Sequence, residues 1–159
     1  GDLGAVSAAI AEAAGSARPD SAKAVLAPNA SAIERCFGNA GSAEDIVSRL
    51  EAEGSDFARG VLGALRQRSP TSVKVSLEAI RRHRDATLKE AFVAEYRLSQ
   101  WCMRPQPLSD FCEGIRAVLV DKDNAPKWDP ARLEDVSQQR VEGFFAPLGP
   151  EHPLGELQI

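Results

Sequence analysis

Two histidines, three cysteines and the Glu113-Gly114 pair are the residues of this 159-residue chain whose types could carry chemistry. His83 closes a basic helix end and His152 sits in a Pro-rich tail. Neither has a carboxylate or cysteine at ligand spacing, so a metal or catalytic role has little to stand on. Cys36, Cys102 and Cys112 form no Cys-x-x-Cys pair and their number is odd. Disulfide and metal frameworks are therefore not expected, and a reducing compartment fits best. As small apolar residues they suit a core. As nucleophiles, Cys102 and Cys112 need a positioned base, and nothing local offers one. Glu113-Gly114 reads as a helix-capping glutamate followed by a glycine that lets a neighbour pack closely. The alternative is a general base, and it lacks a partner nearby. There is no Gly-rich phosphate loop, Walker motif or serine-hydrolase elbow. From its chemistry alone the chain is not a recognisable enzyme.

The elements that must position these residues read as helices. An Ala-rich helix over residues 3–14 stops at Gly15. Asp20 or Ser21, after the turn at Arg18-Pro19, can cap a short helix to Leu26. Pro28 ends it, and Asn29 caps another through Ile33 and Phe37, closed by Gly38. Ser42 opens the next, with Asp45 at capping-box spacing, and Gly54 closes it. Ser55 leads into Phe57, Val61, Leu62 and Leu65. Ser69-Pro70 pairs a cap with a proline at the first helical position, and Val73, Leu77 and Ile80 give that helix its apolar face. Thr87 and Glu90 form a capping box before the longest helix, about residues 88–104, which Pro105-Gln-Pro107 breaks. Asp110 is the expected cap of a helix running to about Val120. Val118–Val120 is the best strand candidate, yet it continues a helix pattern. Asp129-Pro130 starts one helical turn, and Ser137 caps a last helix through Phe145. The fold class is all-α, with about eight helices and little or no sheet.

Hydrophobic residues at 43% and charged residues at 26% describe a globular chain. Aromatics reach only 6%, and much of the apolar content is alanine, which buries little area. A thin core of this kind predicts a large exposed apolar patch or self-association that covers it. The net charge of −4 speaks against a nucleic-acid partner. The clusters Arg66-Gln67-Arg68 and Arg81-Arg82-His83-Arg84 suit solvated helix ends; the other reading is a phosphate contact, for example to a CoA nucleotide. No apolar run approaches membrane-spanning length. Gly1 is not an initiator methionine and no signal or transit pattern follows it, so the start looks like an internal cut or a processed end.

Three strings in order carry a resemblance. They are Ser69-Pro-Thr-Ser-Val-Lys-Val75, then Glu95-Tyr-Arg-Leu-Ser-Gln100, then Phe111 with Glu113-Gly114, Arg116-Ala117, Asp121-Lys-Asp123, Pro126 and Lys127-Trp128. Together they resemble the C-terminal part of the 3-hydroxyisobutyryl-CoA hydrolase family, a branch of the crotonase (enoyl-CoA hydratase/isomerase) superfamily. Residues 29–147 carry the likeness, 1–28 match loosely, and 148–159 form an irregular tail of a single helical C-terminal domain. The resemblance implies a parent protein that hydrolyses the 3-hydroxyisobutyryl-CoA thioester in valine catabolism. It places the oxyanion hole and the pocket carboxylates in a preceding core segment, so it supplies no catalytic residue here, and the chain alone is expected to be inactive. The CoA thioester is the substrate, and no further cofactor is implied. The implied partners are the acyl-CoA, that upstream core segment and further copies of the protein, with neither nucleic acid nor membrane. The superfamily's basic residue after the Glu-Gly helix, near the CoA phosphates, falls at Lys122, one residue off the usual spacing. The implied location is the cytoplasm of a bacterium or the mitochondrial matrix of a eukaryote. Two alternatives stay open: an enoyl-CoA hydratase or isomerase, and a non-catalytic scaffold made by reusing the fold, as in mitochondrial ribosomes.

Overall fold

The computed structural model describes residues 2–16, 24–104 and 109–158. Among them the chain forms eight α-helices and no strand: α1 Leu3–Ser16, α2 Ala30–Phe37, α3 Ala43–Glu53, α4 Asp56–Arg66, α5 Pro70–His83, α6 Leu88–Cys102, α7 Asp110–Ile115 and α8 Gln138–Gly143. The all-α expectation holds. Five helix starts follow from their caps. The side chains of Ser42, Ser55, Ser69 and Ser137 each accept a backbone N–H of the first turn. Thr87 and Glu90 close the full reciprocal box. Gly54 ends α3 at φ +61, where a side chain would be strained.

Other local expectations are corrected. Asn29 caps nothing with its side chain; its amide instead donates to Val25 O at 2.8 Å. Pro28 lies inside a 3-10 turn, Ala27–Asn29, that leads into α2. Asp45 does not reach back to Ser42 but accepts Gly41 N at 2.8 Å and pairs with Arg49. The one turn of helix expected at Asp129-Pro130 forms later, as a 3-10 turn at Leu133–Asp135. The turn at 18–21 and the break at Pro105-Gln-Pro107 lie outside the described residues, and α6 ends at Cys102.

Two small cores hold the helices. Cys36, Ile46, Leu50, Ala58 and Leu62 join α2, α3 and α4. Val75, Ala79, Leu98, Val136, Val141 and Phe145 join α5, α6 and α8. Helix α5 serves both, because Leu77 packs on the first cluster while Val75 and Ala79 enter the second. The expected face of α5 is thus rotated: Ile80 is 68% exposed. Alanine allows close helix approach at Ala58 and Ala79, but each contributes little apolar area, so the cores stay small. Ion pairs supplement them at the rim. Arg35 reaches Glu53 with two bonds of 2.9 and 2.7 Å. Arg82 joins Glu78 and Glu142 and stacks 4.0 Å over the Phe145 ring. The tail is irregular but anchored: Glu156 accepts Leu148 N at 2.6 Å and pairs with Arg97.

The opposite faces are left bare. Leu3, Val6 and Ile10 of α1 are exposed, as are Leu88 and Phe92 of α6. So are Phe111, Ile115, Val118, Leu119 and Val120 around α7. The thin core and large apolar surface expected from the composition are both present among the described residues.

Candidate functional site

Ser69, Thr71 and Glu113 are the buried polar residues among those described, and all three lie in the motif strings. Their partners explain their burial. Ser69 Oγ accepts Ser72 N, which starts α5, and donates to the Asp110 carboxylate on α7. The other Asp110 oxygen accepts Asp129 N at 3.1 Å. Asp110 therefore does not cap its own helix. Ser109 does, accepting Cys112 N at 3.3 Å, which frees Asp110 to tie α5, α7 and the returning chain together. Thr71 Oγ1 accepts Arg140 Nε of α8 at 3.2 Å, and the same guanidinium donates to Asp129 O at 2.6 Å.

Glu113 stands at the centre. Its Oε1 accepts Arg116 Nη2 at 2.8 Å and Lys127 N at 2.7 Å, and its Oε2 accepts Arg116 Nε at 2.9 Å. Arg116 in turn donates to Asp121 at 2.6 Å, to Asp123 at 2.8 Å and to Ala125 O at 3.2 Å. The Arg116 guanidinium, followed by the Lys127 amide, holds the Glu113 carboxyl at about 2, from an ordinary 4.5. A general base works best with a pKa near the operating pH and an oxygen aimed at substrate. Glu113 has neither. Its carboxylate is a clasp that pins the 121–128 turn onto α7.

The backbone bends to make this clasp. After Ile115 the helix widens into a π turn, Arg116–Val120, so Asp121 N bonds back to Arg116 O at 2.8 Å. Val118–Val120 are thus not a strand. The wider turn leaves Val118, Leu119 and Val120 all facing outward. Lys122 and Asn124 then take positive φ values of 56° and 51° to reverse the chain. Trp128 closes the loop: its indole N–H donates to Gln67 O at 3.2 Å, and its ring lies against Gly114. Gly114 does allow close packing, and the neighbour is Trp128.

Beside the clasp runs an open apolar groove of about 680 Å³ between α5 and α7. Leu65, Val73, Phe111, Ile115, Val118 and Leu119 form its walls, and Arg68 stands at its rim. The remaining candidates lie elsewhere. Lys122 is exposed on the reversing turn, and among the described residues no ion pair engages it. His83 Nδ1 is 3.4 Å from Glu95, and its Nε2 is buried without a partner among the described residues. His152 Nδ1 accepts Leu154 N. All three cysteines are free; Cys36 is buried and Cys102 and Cys112 are half-buried. Among the described residues no three His, Cys, Asp or Glu side chains gather as metal ligands, and no helix is long and apolar enough to cross a membrane. Both basic clusters close helices, as read from the sequence. Arg66 is paired with Glu51, Arg81 donates to Ala40 O, and Arg82 is paired twice.

Sequence reasoning missed the Asp110–Ser69 tie, the Arg140 bridge and the groove. The Glu113–Arg116 pair was readable, because i,i+3 opposite charges share a helix face.

Comparisons with known proteins find likenesses over most of the chain. The family model for enoyl-CoA hydratase/isomerase matches residues 2–145. The mitochondrial 3-hydroxyisobutyryl-CoA hydrolase of Gallus gallus is 49% identical over 111 residues, covering 70% of this chain and 28% of that protein. The small ribosomal subunit protein mS47 of Arabidopsis thaliana is 42% identical over 119 residues, covering 72% of this chain and 29% of that protein. The crystal structure of an enoyl-CoA hydratase from Rhodobacter sphaeroides superposes with a TM-score of 0.73 at 36% identity, covering 99% of this chain and 45% of that one. The chain thus spans under a third of the length of these two curated relatives.

Proposed function

The chain belongs to the enoyl-CoA hydratase/isomerase family, and from that premise we propose that it is the helical C-terminal part of a 3-hydroxyisobutyryl-CoA hydrolase-like thioester hydrolase of valine breakdown. One observation carries the reading: Glu113, Arg116, Asp121 and Asp123 of the third family-like string spend their charges on one another, beside an open apolar groove. Such a segment shapes and covers an active site rather than supplying one. Thioester hydrolysis needs preorganised donors for the oxyanion and an activated nucleophile, and the clasp offers neither. On this reading the reacting groups come from another part of the protein, and the chain covers the acyl-CoA pocket and makes subunit contacts. The CoA thioester is the substrate, with no further cofactor. The protein works in the mitochondrial matrix of a eukaryote or the cytoplasm of a bacterium; the Gallus gallus relative is named mitochondrial.

The test is hydrolysis of 3-hydroxyisobutyryl-CoA by the chain alone and by the chain together with the rest of a hydrolase. Turnover only in the mixture supports the proposal; turnover by the chain alone overturns it. We also propose Lys122 as a CoA phosphate contact. An exposed cation is well screened, so Lys122→Gln is expected to raise KM by about two- to fivefold and leave kcat unchanged. An unaltered KM removes Lys122 from the site.

The likeness to mS47 favours a second reading, a scaffold segment that has kept the fold without the chemistry. A mixture that assembles but hydrolyses neither 3-hydroxyisobutyryl-CoA nor other acyl-CoA thioesters selects it.

A further inference from the structure

We propose that the cavity among α5, α6 and α8 is a binding site for an apolar monocarboxylate, whose charge meets Arg104 and Arg140 while its hydrocarbon body lies on Val75, Leu98, Trp101 and Phe144. The proposal concerns a small-molecule site and does not rest on the hydrolase reading.

The cavity follows from the helix order. Residues 84–87 alone join α5 to α6, so α6 runs back along α5, and α8 packs on the pair through Val141 and Phe145. The space left among them is about 610 Å³. Its floor is fixed. Val75 and Leu98 are core side chains, Phe144 packs against that core, and the Trp101 indole N–H donates to Ala146 O at 2.9 Å. A preorganised apolar floor with a few placed polar groups is the usual build of a small-molecule site. Ser72, Ser76, Asp110 and Phe111 form the ridge that the cavity shares with the α5–α7 groove.

Charge selects the ligand, because the cavity is polarised along α5. Thr71 lines one end and Ala79 the other, about 12 Å apart along the helix. At the Thr71 end Arg140 donates through Nε and Nη2 to two neutral oxygens, Thr71 Oγ1 and Asp129 O. Arg104, just past the end of α6, lies 4.7 Å over the Trp101 ring. Among the described residues no carboxylate pairs with either guanidinium, whereas Arg82, Arg97 and Arg116 each have one. The positive end of the α5 dipole lies at the same end. The two carboxylates on the walls do not compensate. Asp110 has both oxygens bonded, to Ser69 and to Asp129 N. Glu95 stands nearly two turns before Trp101, 3.4 Å from His83 Nδ1. An anion on an apolar body fits this polarity, and a carboxylate matches the flat donor face of a guanidinium. The recess beside α3 and the 131–134 turn is also lined by arginines, but Arg66 and Arg132 are paired there with Glu51 and Glu134.

The test titrates the chain with 3-phenylpropanoate and with its neutral counterpart, 3-phenylpropan-1-ol, and reads tryptophan fluorescence. Trp101 reports on this cavity and Trp128 on the α5–α7 groove, so Trp128→Phe is expected to keep the signal and Trp101→Phe to lose it. The acid is expected to saturate with a Kd of about 1 mM or below, and the alcohol to bind at least about tenfold more weakly. Arg104→Gln is expected to raise the Kd of the acid by about three- to fivefold, the scale of an exposed ion pair, and to leave that of the alcohol unchanged. Gly143 lines the cavity, and a Cβ there meets nothing within 4 Å. Gly143→Leu therefore fills part of the space and is expected to weaken the acid by at least about tenfold. Both positions are exposed, so both variants keep the wild-type circular dichroism spectrum. An absence of saturation by about 10 mM overturns the proposal. So does equal affinity for acid and alcohol, wild-type affinity for the acid in Arg104→Gln or Gly143→Leu, or a signal carried by Trp128.

Discussion

Gly114→Ala is expected to stabilise the chain, although Glu113-Gly114 is one of its family-like pairs. Gly114 sits in α7 at an ordinary helical φ, where glycine is about 1 kcal/mol less favourable than alanine. A Cβ there would lie 3.4 Å from Cη2 and 3.7 Å from Cζ3 of Trp128, which is van der Waals contact rather than a clash. Part of the propensity gain goes into seating that methyl, leaving about 0.5–1 kcal/mol of net stabilisation. For a chain of this size the melting temperature then rises by about 1–4 °C. Gly114→Val has no such room. Its second methyl pushes the indole away from Gln67 O, and the overpacking costs about 1–3 kcal/mol. Urea denaturation of both variants at pH 7 measures the two changes. A loss of more than about 1 kcal/mol in Gly114→Ala refutes the steric argument.

Leu50, 1% exposed at the centre of the α2–α4 core, is expected to cost about 3 kcal/mol on truncation to alanine, against under about 0.5 kcal/mol for exposed Ile80→Ala; equal urea midpoints for the two would refute the two-core description. The Glu113 carboxyl, held at about 2 against an ordinary 4.5, contributes stability that is complete above pH 4.5 and is lost as pH falls toward 2. Thermal melts between pH 6 and 2.5 should show that loss in wild type and a shallower one in Glu113→Gln, with identical slopes counting against the clasp. Burial pushes the Cys36 thiol up, so its alkylation at pH 8 should be at least about tenfold slower in the native chain than in urea; equal rates would show that the first core opens freely.

Helix starts were the most legible feature because each is local. A Ser or Thr one residue before the helix is decided within four residues; Ser42, Ser69, Thr87 and Ser137 cap as read, Ser69 with its proline and Thr87 with its glutamate, and Ser55 caps as well. Helix faces were less legible because they depend on neighbours. In α5 the alternative stripes 73–77–80 and 71–75–79 are both plausible, and the second is buried because α8 packs there through Val141 and Phe145. The same limit explains α7. Ser109 and Asp110 are both good caps, and Glu113 at the box spacing from Asp110 makes Asp110 the local favourite, because Ser109 has only Cys112 there. Asp110 is drawn away by Ser69, a partner 41 residues earlier in the chain, and Ser109 takes the cap.

The strength of a motif and the chemistry of its residues come apart here. Glu113, Arg116, Asp121 and Asp123 look from their types like an acid–base cluster. Geometry turns them into four ends of one clasp, with Glu113 fully bonded and Arg116 shared among three carboxylates. A clasp of this kind is expensive to dehydrate and is retained where it fixes one conformation. The conformation it fixes is the π turn that points Val118, Leu119 and Val120 into solvent. Holding three apolar side chains outward destabilises an isolated chain and becomes favourable only once they are covered. The charges therefore act on shape: they hold the π turn, and the π turn sets the apolar surface beside it.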